Sequence, residues 1–344
     1  HPSATPSAAA TPRPTTSAGA NTPPNVIAHE NALLSAFSDV EQAGMRGRVR
    51  VGFMNALEAR AYTPFWHTLL ADLGFSVLVP DKGCERSCES AAWETVPSES
   101  VCYPAKITHA RAFNLRAKGA HAVLMPRFER SAHCPVSCSY ASALADNLPP
   151  DFPQIIAPTI ADYKPERFAE DETSRAELLR MLDALASQAG ARLAAGELGH
   201  ALAAGLDAQA AFRRSVENAA QEALAWIAAS EHRHGILIAG RPYHDDPALL
   251  HGIDEELTRL GFAVLSTTGI ASEARRIRRL LRKTQSTFQE KHPWKPAKRL
   301  IGAAQWVTQN KQVDLVCVQS FGCGFDAVSL ENVRAVLEQA HRPY

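Results

Sequence analysis

The sequence has 344 residues with equal numbers of acidic and basic side chains, so its formal net charge is zero and its isoelectric point is about 7.3. A chain of this length exceeds the usual size of one hydrophobic core and is expected to fold as more than one unit. The neutral balance argues against a basic nucleic-acid-binding surface, and no run of about 18 apolar residues is present to span a membrane.

The N-terminal segment, residues 1–28, consists mainly of Ala, Pro, Ser and Thr and contains almost no large apolar side chain. Such a segment buries too little surface to offset its conformational entropy, so it is predicted to be a disordered tail or linker. A short amphipathic helix is predicted next, from about Glu30 to Gly44.

The first globular unit is predicted over residues 45–165. A strand over Arg48–Asn55, a helix that begins at Pro64 and ends at Gly74, and a strand over Phe75–Pro80 form a β-α-β pattern. This spacing is typical of a parallel, doubly wound sheet. The further elements predicted in this unit are a helix from Pro104 to Lys118, a strand over His121–Pro126, a helix capped by Ser139 that ends at Asn147, and a strand over Gln154–Pro158.

A helical connection of two or three helices is predicted over residues 166–232, and a second α/β unit over residues 233–344. The basic run at residues 275–283 has apolar residues at helical spacing and is interpreted as a solvated helix face rather than a nucleic-acid site. The fold class predicted is α/β, with two doubly wound parallel-sheet domains, a helical connection and a disordered N-terminal tail. The remaining elements predicted are strands over Gly235–Gly240, Phe262–Ser266 and Val313–Gln319, and helices ending at Leu260, Asn310 and Glu338.

Seven cysteines are too few and too widely spread for a disulfide scaffold in a chain of this length. Their positions, mostly in loops after strands, favour metal binding or catalysis in a reducing compartment, so a cytoplasmic location is predicted. The cysteines are Cys84, Cys88, Cys102, Cys134, Cys138, Cys317 and Cys323.

Three of these cysteines, Cys102, Cys134 and Cys323, each follow an extended segment and precede a helix. In a parallel sheet such loops lie at one edge, where three converging thiolates suit an iron–sulfur cluster with one iron left open. Structural zinc is the competing metal, although no C-x-x-C pair or obvious fourth ligand is present. The helix after Cys323 is expected to be capped by Asp326 or Ser329. Cys84 with Cys88 and Cys134 with Cys138 are possible further ligand pairs, although cysteines in the positions of Cys88 and Cys138 are more often bystanders. Cys317 is predicted to belong to the core of its strand.

A second group of candidate site residues follows the strand over Gly235–Gly240. Arg241 and His244 are placed to bind an anion or to donate hydrogen bonds to a cluster or a substrate carbonyl, and His251 lies seven residues beyond His244. The alternative interpretation is structural: Arg241 pairs with Asp245 or Glu255, and His244 caps the loop.

Three stretches of the chain closely resemble the activase-related iron–sulfur proteins of the 2-hydroxyacyl-CoA dehydratase system. They are Pro97–Lys106 (PSESVCYPAK), Gly240–Pro247 (GRPYHDDP) together with His251, and Ser320–Ala327 (SFGCGFDA). With the Cys134-Pro135 turn, the resemblance covers about residues 48–160 and 234–342. The central helical segment and the basic run match the family poorly, and neither a P-loop nor the phosphate loops of the activase are present.

The resemblance implies doubly wound α/β domains around a 4Fe-4S cluster with Cys102, Cys134 and Cys323 as ligands. It further implies an ATP-hydrolysing activase, as a domain or a separate protein, that injects an electron of low potential. The activity implied is that of a dehydratase (lyase) or reductase component acting on an acyl-CoA-like carbonyl, and a dimer is a further expectation. A non-catalytic electron-transfer or scaffold partner and a structural zinc protein stand as alternatives.

Overall fold

The computed structural model describes residues 22–128, 134–160, 165–281 and 295–344, and these residues build two larger parallel sheets flanked by helices and a separate two-stranded parallel pair. The tail prediction for residues 1–21 lies outside the described residues, as do His133 and the end of the basic run at Arg282 and Lys283. The α/β class predicted from the sequence is confirmed.

The first unit follows the predicted β-α-β order, and an N-terminal helix precedes it. Their elements are α1 (Val26–Ser35), β1 (Arg50–Phe53), α2 (Thr63–Asp72), β2 (Ser76–Leu78), α3 (Cys84–Ser87), α4 (Ser90–Glu94), α5 (Tyr103–Ala117), β3 (Ala122–Leu124), β4 (Arg127–Phe128), α6 (Pro135–Asn147), β5 (Gln154–Ile156) and β6 (Thr159–Ile160).

The first sheet is parallel, with the strand order β2-β1-β3-β5, and β4 pairs with β6 in a separate parallel pair. Along β1, Val51 and Phe53 pack in the same core as α2, whereas Gly52 faces Leu115 of α5. Helices therefore cover both faces of the sheet, as a doubly wound fold requires. Because β1 lies between β2 and β3, the loop after β1 opens at the point where the strand order reverses, which is where such sheets bind ligands.

Between the two sheets the chain forms α7 (Pro165–Glu170), α8 (Glu172–Gln188) and α9 (Ala195–Ala228). Helix α9 joins the two units, because Leu198 and Leu202 pack in the core of the first and Phe212 and Val216 in the core of the second. It approaches α2 so closely that a Cβ on Gly205 would lie 2.8 Å from the carbonyl oxygen of Phe65. A larger side chain at this position would force the helices apart.

The second unit contains β7 (Gly235–Ala239), α10 (Pro247–Leu250), α11 (Ile253–Arg259), β8 (Ala263–Ser266), α12 (Ala271–Leu281), α13 (Lys295–Thr308), β9 (Val313–Cys317) and α14 (Gly324–Gln339). Its sheet is parallel, with the order β8-β7-β9. Leu237 faces the core that contains α9, α13 and α14, whereas Ile236 and Ile238 face Ile27 of α1. The loops after β7 and β9 thus emerge side by side.

The folded chain begins before residue 28, where the sequence places the end of the tail. The carbonyl oxygen of Pro24 accepts a hydrogen bond from the Val264 N–H of β8 at 2.8 Å, and Ile27 is fully buried. Farther along, Val40 forms an antiparallel bridge with Val77 of β2. The segment before β1 therefore contacts both sheets.

Four predicted helix boundaries are wrong. Helix α1 spans Val26–Ser35 rather than Glu30 to Gly44. Helix α6 begins at Pro135 rather than after Ser139, because proline is well suited to the first turn, where its missing N–H costs nothing. Helix α14 begins at Gly324, so its N-cap is Cys323 and not Asp326 or Ser329. The single helix expected up to Leu260 is divided into α10 and α11 by the left-handed residues His251 and Gly252.

The described part of the basic run, residues 275–281, lies on a helix with a solvated face, as predicted. In α12, Arg275, Arg276 and Arg279 are exposed and Ile277 is buried. Within the described residues, no helix is long and apolar enough to cross a membrane.

Candidate functional site

Each of the three cysteines predicted as ligands is the N-cap residue of a helix. Cys102 precedes α5, Cys134 precedes α6 and Cys323 precedes α14, and all three are partly exposed and free of disulfide bonds. The first N–H groups of a helix lack intrahelical acceptors and stand at the positive end of its dipole, so they stabilise a nearby thiolate. The three segments therefore present chemically similar sulfur donors.

These three cysteines interact electrostatically. Burial is the largest cause of the raised pKa of Cys102, and the charges of Cys134 and Cys323 raise this pKa further, while Arg241 opposes the shift. Cys134, Cys323 and Arg241 are thus close enough to Cys102 to act on its charge, although they are far apart in the sequence.

Arg241 lies fully buried in the loop after β7 and contacts the loop after β9. Its Nη2 donates a hydrogen bond to Cys323 Sγ at 3.2 Å, and its Nε donates to Asp326 Oδ1 at 3.1 Å. The guanidinium carbon lies 4.1 Å from the ring centre of Phe325. The partner of Arg241 is therefore Asp326, and not Asp245 or Glu255 as the structural alternative supposes.

Asp326 also fixes the loop that carries Cys323. Its Oδ2 accepts a hydrogen bond from the Ser320 N–H at 3.0 Å, and its own N–H donates to Cys323 Sγ at 3.4 Å. One buried carboxylate therefore positions both the guanidinium and the loop around the sulfur.

His244 connects the same two loops. Its Nδ1 accepts a hydrogen bond from the Arg241 N–H at 3.1 Å, so the ring proton is on Nε2, which lies 3.1 Å from Ser320 Oγ. Burial lowers the pKa of His244 to about 4. The imidazole is therefore neutral near pH 7. His251, in contrast, lies exposed at the end of α10, where φ is 54°, and is not part of this buried group.

A glutamate that the sequence analysis did not select lies beside this group. Glu58 follows β1 and is completely buried, and its Oε2 accepts a hydrogen bond of 2.5 Å from Ser137 Oγ. Burial raises the pKa of Glu58, while Ser137 and Arg241 oppose the shift. The one sequence signal for this residue is its place in the loop after the first strand of a parallel sheet.

The other cysteines have separate surroundings. Burial raises the pKa of Cys84 and of Cys317 to about 12 in each case. The thiol of Cys88 donates to the Glu85 carbonyl and that of Cys138 to the Phe128 carbonyl. Cys317 packs against the core of the second unit, in line with its predicted role.

Among the residues that the structure describes, no three His, Cys, Asp or Glu side chains are grouped so that they could hold a metal ion. This criterion concerns one ion bound by neighbouring side chains. Cysteines that bind an iron–sulfur cluster coordinate different iron atoms, so their sulfurs lie farther apart.

Comparison with known families identifies the chain. The model of the family described as CoA enzyme activase uncharacterised domain (DUF2229) matches residues 50–270, which is well over half of the chain. The chain belongs to this family. The part that matches the CoA enzyme activase domain contains Cys102, Cys134 and Arg241, whereas Cys323 and Asp326 lie beyond it. No curated protein matches the sequence.

Proposed function

We propose that this chain is the cluster-carrying component of a 2-hydroxyacyl-CoA dehydratase-type system. Cys102, Cys134 and Cys323 would bind a 4Fe-4S cluster that receives low-potential electrons from an ATP-dependent activase and acts in acyl-CoA dehydration or a related reduction. The single observation that carries the proposal is the electrostatic grouping of three N-cap cysteines with Arg241 on the sulfur of Cys323. Membership of the CoA enzyme activase family supports the system to which it is assigned.

The residues present fit such a cluster. An iron–sulfur cluster with thiolate ligands is anionic, and three helix N-termini and one guanidinium surround the sulfur donors with positive charge. Arg241 Nη2 already donates to Cys323 Sγ, so the guanidinium would keep a hydrogen bond on one of the ligand sulfurs.

When bound, the cluster supplies one-electron chemistry at low potential. The residues of the chain position it and shape its surroundings. Arg241 contributes a fixed positive charge, since its own charge is held in place by Asp326. Neutral His244 holds the loop after β9 through Ser320, so the position of Cys323 does not depend on a charged imidazole.

Anaerobic purification followed by iron and sulfide analysis tests the proposal, together with electron paramagnetic resonance of the reduced protein. The variants Cys102→Ser, Cys134→Ser and Cys323→Ser are compared with Cys88→Ser, which lies outside the group. We expect about four iron atoms per chain in the wild type and in Cys88→Ser, and a loss of most iron in each of the other three. Zinc in place of iron, or full iron retention in the Cys323→Ser protein, would overturn the assignment.

A further inference from the structure

Two buried polar atoms beside the cysteines lack hydrogen-bond partners among the described residues: Arg241 Nη1 and Glu58 Oε1. Both side chains are almost completely inaccessible to solvent, at 2% and 0% exposure. An unsatisfied buried polar atom costs free energy, so two of them in one place require an explanation.

The two side chains belong to the same group. Each acts electrostatically on the other, and the buried Tyr243 interacts with both of them and with Cys102 and Cys134. Glu58 and Arg241 form no hydrogen bond with each other, so Glu58 Oε1 and Arg241 Nη1 each still lack a partner in the described part of the chain.

The backbone is strained at Leu57, the residue just before Glu58. Leu57 has φ of 49°, a left-handed conformation that a bulky residue seldom adopts. Such strain persists only where the surrounding structure imposes it, and it is concentrated at functional sites. Asn55, three residues before Glu58, has a comparable feature, because its side-chain amide oxygen Oδ1 is also buried without a hydrogen-bond partner among the described residues.

The charges around the two free atoms indicate what they bind. The charge of Arg241 is already balanced by Asp326, and the neighbouring thiols become negative when they bind metal, so an additional anion is repelled. Burial raises the pKa of Glu58 and so favours its neutral acid form, in which Oε1 would offer a hydrogen-bond donor while Ser137 donates to Oε2. Two such donors in one group, with little net charge between them, suit a neutral carbonyl oxygen.

We propose that Glu58 and Arg241 together bind the neutral carbonyl oxygen of an acyl substrate beside the three cysteines. Glu58 Oε1 and Arg241 Nη1 donate to this oxygen, and Ser137 holds the other oxygen of the Glu58 carboxyl. This assignment rests on the proposed function, since it places a substrate carbonyl at the proposed cluster site.

Saturation-transfer NMR with N,N-dimethylacetamide tests the inference on the full chain. This probe carries a neutral carbonyl acceptor, has no N–H donor and does not react with thiols. The variant Glu58→Met removes the donor at similar size, whereas Glu58→Gln keeps both a donor for the probe and an acceptor for Ser137. We expect probe binding about threefold to tenfold weaker in Glu58→Met and nearly unchanged in Glu58→Gln. Acetate should bind more weakly than the neutral probe.

Equal probe binding by the wild type and Glu58→Met would overturn the inference, as would tighter binding of acetate. A purely structural glutamate makes a different prediction, because its removal would lower the melting temperature without selective loss of the probe. Iron content separates this inference from the proposed function. We expect Glu58→Met to retain wild-type iron, so a failure of probe binding is distinct from a failure to bind the cluster.

Discussion

Asp246 of the second unit and Arg111 of the first form a buried ion pair, with 2.8 Å between Asp246 Oδ2 and Arg111 Nη2. Arg60, from the loop after β1, lies 3.5 Å from the same carboxylate oxygen. Since Arg111 is on α5, the helix capped by Cys102, this pair ties the loop of Arg241 and His244 to the helix that positions Cys102. The two halves of the candidate site are thereby held together.

The variant Asp246→Asn should be strongly destabilised, because it leaves two arginines buried without their shared carboxylate. We expect a loss of roughly 3–5 kcal/mol in the free energy of unfolding, measured by urea denaturation. A loss below about 1 kcal/mol would contradict a structural role for this pair.

The pH dependence of the same variant provides an independent check. Although burial opposes the shift, Arg60 and Arg111 lower the pKa of Asp246 to about 2. A carboxyl with a depressed folded-state pKa stabilises the fold above its unfolded value of roughly 3.8, and this contribution is lost as the pH falls towards 2. The difference in unfolding free energy between wild type and Asp246→Asn should therefore shrink in that range.

The neighbouring Asp245 should respond in the opposite way. Burial, with a smaller contribution from Glu30, raises the pKa of Asp245 well above its usual range. A carboxyl of this kind destabilises the fold as the pH rises above its unfolded pKa. Asp245→Asn should therefore be as stable as the wild type at pH 7 or more stable, in contrast to Asp246→Asn. Equal destabilisation by Asp245→Asn and Asp246→Asn would contradict the opposite pKa shifts of the two carboxyls.

His244 makes the fold sensitive to mild acid. Burial lowers its pKa to about 4, so the neutral ring stabilises the fold above the unfolded value of about 6.5, and this contribution is lost as the pH falls from 6.5 to 4. A difference of this size corresponds to roughly 3 kcal/mol. In His244→Asn the decrease in unfolding free energy between these two pH values should be smaller by about that amount. The exposed His251→Asn serves as the control and should follow the wild-type curve.

Most of the fold could be predicted from sequence because strands such as Val313–Cys317 are apolar and helices such as α2 have proline near the start and glycine at the end. The boundaries that failed depend on single residues. Cys323 caps α14 through its sulfur, although cysteine is a less common N-cap residue than aspartate. His251 adopts a left-handed backbone conformation that the sequence around it does not predict.

The candidate site could be predicted only in part. The three cysteines and Arg241 stand in loops whose position follows from the strand order, which is why the sequence predicts that they lie near one another. The partner of Arg241 was not predictable, because Asp326 lies 85 residues away and Asp245 is much nearer in sequence. Glu58 was missed for a related reason. Its hydrogen-bond partner Ser137 lies on α6, 79 residues away, and the sequence near Glu58 gives no sign of this contact.

Gly240 provides the space in which His244 packs. A Cβ at this position would lie 2.5 Å from His244 Nδ1, closer than real Cβ contacts allow. We expect Gly240→Ala to displace the imidazole and to remove its hydrogen bonds to the Arg241 N–H and to Ser320, detected as a shift of the His244 ring signals in NMR. The control Gly302→Ala, in α13, has no atom within 4 Å of the added Cβ and should leave those signals unchanged. Unchanged His244 signals in Gly240→Ala would contradict this packing.

The ion pair of Arg241 and Asp326 should behave as one energetic unit. Each partner is buried, so Arg241→Met or Asp326→Leu alone leaves an uncompensated charge and should cost roughly 3–5 kcal/mol of unfolding free energy. The double variant removes both charges and should lose less than the sum of the single variants by about 1–3 kcal/mol.

The matched control for this pair is Arg334 and Glu338, an exposed pair on the same helix α14 with 2.7 Å between Arg334 Nε and Glu338 Oε1. Solvent screens this pair, so Arg334→Met should produce no measurable change in stability. Additive effects of Arg241→Met and Asp326→Leu would contradict the coupling. Additive effects would also mean that Asp326 holds the Cys323 loop independently of the hydrogen bond from Arg241 to the Cys323 sulfur.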